Sequence, residues 1–120
     1  MLLAAKVLAG IVLAIHVYIV LLETVLFRSR GVTVFGLSAE RAEIVAPAMS
    51  NQGCYNGFLV AALVLGFVWP EPAIAKAFMT YGLACVAVAG IWGAATVMTR
   101  ILYIQTLPAV LALAAFWLAM

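Results

Sequence analysis

Ala48-Met49-Ser50-Asn51-Gln52-Gly53-Cys54-Tyr55-Asn56-Gly57-Phe58 opens an apolar run that continues to Trp69. A run of about 20 residues with no charge reads as a helix that crosses a bilayer. Its first turns nevertheless carry three amides and a phenol. No water reaches such groups inside lipid, so each needs a protein partner or a ligand. At about 100° per residue, Asn51, Gln52, Tyr55 and Asn56 cover an arc of about 140°, with Gly53 and Gly57 on the neighbouring flank. Gly53-x-x-x-Gly57 is a spacing that lets a second backbone approach closely. One flank of this helix is therefore expected to pack tightly and the next to present amides.

The rest of the chain agrees with a membrane setting. It is 69% hydrophobic and only 8% charged over 120 residues, with mean hydropathy +1.29, and no soluble domain of that length could bury so much apolar surface. Spans are expected over residues 7–27, 50–69 (with a start near 39 as the longer version), 77–98 and 101–120. The first is too long for the apolar region of a signal peptide and no small-residue cleavage site follows it, so it reads as a mature helix. Trp69-Pro70-Glu71-Pro72 stops one helix with a rigid turn, and Thr99-Arg100 is barely a turn. Short connections force neighbours to be antiparallel. The expected fold is all-α, an antiparallel up-down bundle of four transmembrane helices forming a single integral membrane domain over residues 1–120.

The net charge of +2 is small and scattered, which argues against a nucleic-acid partner. Lys6 and Lys76 fall on one side of the bundle, and Arg28, Arg30, Arg41 and Arg100 on the other. The positive-inside rule then puts both termini in the periplasm, and the first and third loops in the cytoplasm, of a protein in the bacterial inner membrane. Cys54 and Cys85 sit within apolar runs and read as small buried residues.

His16 lies near the middle of the first span and Glu23 near its cytoplasmic end. They share a face but are separated by about 10 Å along the axis, so they do not bond each other. His16 is expected to hydrogen-bond across helices, or to bind a ligand or move a proton. Glu23 either reaches back to Arg28 or belongs to a site. In the long first loop, Ser38 is a candidate N-cap for a short amphipathic helix from Ala39, and Pro47 stands either at a junction or within a continuous helix. The third span is rich in small residues, and Trp92, Thr96 and Thr99 line its cytoplasmic half. The fourth opens with Tyr103, Gln105 and Thr106 before Pro108.

Every span thus places its polar residues in the same half of the bilayer, with His16 at the floor. This predicts an intramembrane polar pocket that opens to the cytoplasmic leaflet and is walled by Tyr55, Trp92 and Tyr103. Tyr18-x-x-x-x-Glu23, Val34-Phe35-Gly36-Leu37-Ser38 and, above all, Asn51-Gln52-Gly53-x-Tyr55-Asn56-Gly57-Phe58 resemble the small bacterial membrane proteins grouped as domain of unknown function 1304. The resemblance covers essentially the whole chain and implies a four-span inner-membrane protein, without assigning an activity.

Three functions fit these residues. The first is binding of a small lipophilic ligand by Asn51, Gln52, Tyr55, Asn56, Trp92, Tyr103 and Gln105. The second is an intramembrane enzyme such as an isomerase, in which His16 or Glu23 moves a proton while Tyr55 and Asn56 steady developing charge. Haem held by His16 is a variant of that reading; otherwise no cofactor or metal site is evident. The third is a structural or channel-forming homo-oligomer in which helix seams between copies are built from small residues. In each case the lipid bilayer is a partner.

Overall fold

The computed structural model describes residues 2–119. Four helices are long and apolar enough to cross a membrane: α1 (Leu2–Glu23), α2 (Ala39–Val68), α3 (Pro72–Thr96) and α4 (Leu102–Ala119). The described residues include no strand. Each helix packs on its chain neighbours and α4 closes back on α1, so the four form a ring in the order α1–α2–α3–α4.

The helix ends follow local chemistry. Ser38 accepts a hydrogen bond from the Arg41 N–H at 3.2 Å and caps α2, as its hydroxyl predicts. The helix then runs without interruption through Pro47 for 30 residues. The longer version of the second span is the one that forms, and the amphipathic segment is its first turns rather than a separate surface helix. Pro47 has no N–H to donate to the Glu43 carbonyl, a loss tolerated where water is at hand. Val68 ends α2, and Pro72 starts α3 at a position where a missing N–H costs nothing.

The first connection is more ordered than expected. Beyond Glu23 the chain widens into a π-type turn, Phe27–Gly31, in which the Gly31 N–H reaches the Leu26 carbonyl at 2.8 Å. A Cβ at Gly31 would lie 2.3 Å from the Leu22 carbonyl oxygen, so only glycine lets this turn fold back onto the end of α1. α1 runs over Leu2–Glu23 where the hydropathy suggests 7–27, and it ends early because the chain leaves helical geometry before the apolar residues run out. Gly36, at φ +67°, reverses the chain ahead of Ser38. A second π-type turn, Leu102–Thr106, opens α4.

The hydrophobic core occupies one half of the bundle. Ala5, Ala9 and Val12 of α1 meet Leu63 of α2, Met79, Leu83 and Val86 of α3, and Ala109, Ala112 and Phe116 of α4. At that end Lys76 Nζ sits 3.7 Å from the Trp117 ring centroid, and the Trp117 indole N–H donates to Thr80 Oγ1 at 3.2 Å. At the other end Arg100 donates to the Val34 carbonyl at 3.2 Å and ties the third connection to the first. The polar half expected from the sequence is thus the half that holds both arginine-bearing connections.

Candidate functional site

Glu23, the last residue of α1, is 2% exposed. A carboxylate buried so deeply needs donors, and α2 supplies two. Gln52 Nε2 donates to one oxygen at 2.5 Å and Asn56 Nδ2 to the other at 2.6 Å. Gln52 and Asn56 are four residues apart, so both amides project from one face of α2 toward a single acceptor. The approach depends on Gly53 between them. A Cβ there would stand 2.5 Å from Thr24 Cγ2 and 3.1 Å from Glu23 Cβ. Thr24 cannot swing away freely, because its hydroxyl donates to the Val20 carbonyl at 2.6 Å. Gly57, by contrast, has nothing within 4 Å of its Cβ position. Close packing on this flank comes from Gly53 alone.

A groove of about 530 Å³ opens beside the carboxylate. Glu23, Thr24 and Ser50 line it, and Val25, Phe27, Ala46 and Pro47 give it apolar sides. Arg28 and Glu43, 65% and 66% exposed, complete the lining and form an ion pair that joins the first turn to α2. Arg28 therefore pairs with Glu43, and of the two alternatives the sequence left open for Glu23, the reach back to Arg28 is not the one that forms. Arg30 is engaged by the Tyr18 hydroxyl and lies 5.8 Å above the Tyr18 ring.

The other residues expected at the site are placed elsewhere. Tyr55, Trp92 and Tyr103 are 62%, 74% and 64% exposed, so they face out of the bundle and do not wall a pocket within it. Tyr55 instead makes an edge-to-face contact with Phe58, centroids 5.6 Å apart. Asn51 is exposed on α2. Gln105 lies at the seam between α3 and α4, where its Cβ is 3.0 Å from the Cβ position of Gly90. Its neighbour Thr106 is buried and donates to the Ala87 carbonyl at 3.0 Å. His16 is 1% exposed; its Nδ1 is 3.2 Å from the Val12 carbonyl one turn back in its own helix, and the groove does not include it. The expected bond to another helix is replaced by this local one. Among the described residues no three His, Cys, Asp or Glu side chains are grouped so as to hold a metal ion.

The buried polar contacts between helices divide into two groups. The Glu23–Gln52–Asn56 cluster joins α1 to α2, the Thr106–Ala87 bond joins α4 to α3, and the aromatic rings lie outside both. Sequence reading missed the groove itself. Phe27, Ala46 and Pro47 read as ordinary apolar residues, and only Gly31, in a turn between apolar segments, hints at the backbone approach that shapes this end of α1.

A membrane bundle with one buried, amide-held carboxylate is the class that fold and site define. The chain matches the model of the family described as "Protein of unknown function (DUF1304)" over residues 10–117, and it belongs to that family. No curated protein and no solved structure matches it.

Proposed function

We propose that this membrane protein binds a small lipophilic ligand in the groove beside Glu23, in the bacterial inner membrane, with both termini in the periplasm. The observation that carries the reading is that Glu23 belongs both to the amide cluster and to the groove lining. The two amides hold the carboxylate in place, and the groove adds apolar sides large enough for a small organic molecule. Binding is favoured over acid–base chemistry because the groups meeting at the carboxylate are amides. His16 is two turns away along α1, about 10 Å in rise, and does not line the groove.

The test is recovery of a ligand with the purified protein. Organic material extracted from wild type is compared by mass spectrometry with that from Asn56→Leu and Ala46→Trp. The first removes one donor from Glu23; the second fills the groove and leaves both amide donors in place. Both variants are expected to insert normally and to lose the co-purifying molecule. Equal recovery from Ala46→Trp would sink the proposal.

A further inference from the structure

Three ionisable side chains line the groove: Glu23, Glu43 and Arg28. Arg28 and Glu43 pair with each other. Among the described residues, Glu23 has only neutral amides as partners. Each oxygen accepts one amide N–H and retains acceptor capacity beyond that single bond. Arg30, the next cation along the turn, is held by Tyr18 and does not line the groove. With both carboxylates ionised, two of them against one guanidinium give the lining a net charge of −1. A charge in a setting of low dielectric attracts its complement far more strongly than it would in water.

We infer that the groove selects a small amphipathic monocation. This is a free amine or guanidine whose N–H groups reach Glu23 while its apolar body lies along Phe27, Ala46 and Pro47. The inference rests on the ligand-binding reading above and specifies the ligand's chemistry. An anion would meet an uncompensated carboxylate, and a neutral molecule would leave that charge without a counter-ion. A zwitterionic lipid headgroup brings no net charge and matches the lining less well.

The test uses three probes of one skeleton, 4-phenylbutylammonium, 4-phenylbutanol and 4-phenylbutyrate. Binding to the full chain is measured by equilibrium dialysis in phosphatidylcholine nanodiscs, whose quaternary headgroups offer no N–H. Wild type is expected to bind the ammonium at least about tenfold more tightly than the alcohol, a 1.4 kcal/mol preference, and the carboxylate least. Ala46→Trp should abolish binding of all three. Arg28→Gln and Glu43→Gln alter the groove charge in opposite directions at exposed side chains, so neither threatens the fold. The first should tighten the ammonium and the second should weaken it, each by about threefold or more.

Alcohol or carboxylate binding as tight as the ammonium, lost in Ala46→Trp, would overturn the cation inference and leave the groove as a binding site. Shifts of the same sign in the two charge variants would also overturn it. Absence of binding by every probe, or binding unaffected by Ala46→Trp, would remove the groove reading together with the inference.

Discussion

Gly53 and Gly57 are one helical turn apart and read identically as a close-packing pair, yet only Gly53 touches a neighbour. Ala at position 53 would drive its Cβ into Thr24 and Glu23. Overpacking of this kind costs about 1–3 kcal/mol, so Gly53→Ala should lower the thermal unfolding midpoint in detergent. Ala at position 57 enters open space and gains helix propensity, about 0.5–1 kcal/mol. Circular dichroism melts should therefore move in opposite directions for the two variants, and matching shifts would contradict the packing described. Asn56→Leu belongs to the same scale. It leaves one oxygen of a buried carboxylate without a donor, at a cost of about 1–3 kcal/mol. Its melt should fall below that of wild type, and an unchanged midpoint would mean that Glu23 finds another donor.

At the scale of the element, α2 matters for its continuity. Because Ser38 starts it and Pro47 does not stop it, Glu43 and Gln52 ride on one rigid rod, so the groove mouth and the carboxylate cluster keep a set spacing. The α3–α4 seam depends on Gly90. A Cβ there would fall 2.1 Å from Thr106 Oγ1 and 2.9 Å from the Thr106 backbone nitrogen. Gly90→Ala should therefore destabilise the bundle by more than Thr106→Val, which removes only the hydrogen bond to Ala87, about 0.6 kcal/mol in a membrane bundle. The double variant Gly90→Ala/Thr106→Ala should recover only part of the loss, because the backbone obstacle remains. Unfolding midpoints of the three proteins check this, and full recovery would place the conflict in the side chain alone.

For the whole molecule, one end of the bundle is hydrophobic core and the other carries charge and amides. Arg28, Arg30, Arg41 and Arg100 lie at the second end, and Lys6 and Lys76 at the first. We propose, from the positive-inside rule, that the arginine end faces the cytoplasm. On a Cys54→Ala/Cys85→Ala background, Ser29→Cys should react with a membrane-impermeant maleimide only after the cells are opened. A cysteine introduced at Glu71 should react in intact cells. Reversed labelling would invert the orientation. That proposed orientation would put the groove of Glu23 at the cytoplasmic leaflet.

The number of spans, their antiparallel order, the Ser38 cap and the proline stop before α3 were all legible in the chain. They depend on hydrophobic run length and local backbone chemistry, which act over a few residues. That Gln52 and Asn56 answer to one acceptor was partly legible, because their spacing puts both on one face of α2. Which acceptor they share was not, since residues 29 and 33 positions apart meet only when Gly53 lets α1 approach. Nor could spacing along the chain tell an aromatic ring that lines a pocket from one that faces outward. Tyr55, Trp92 and Tyr103 were expected at the depth of Glu23, but helices that approach closely at Gly53, Gly82 and Gly90 pack with these rings turned out of the bundle. Depth is a property of one helix and can be counted along it; facing is a property of two, and it arises only when they pack.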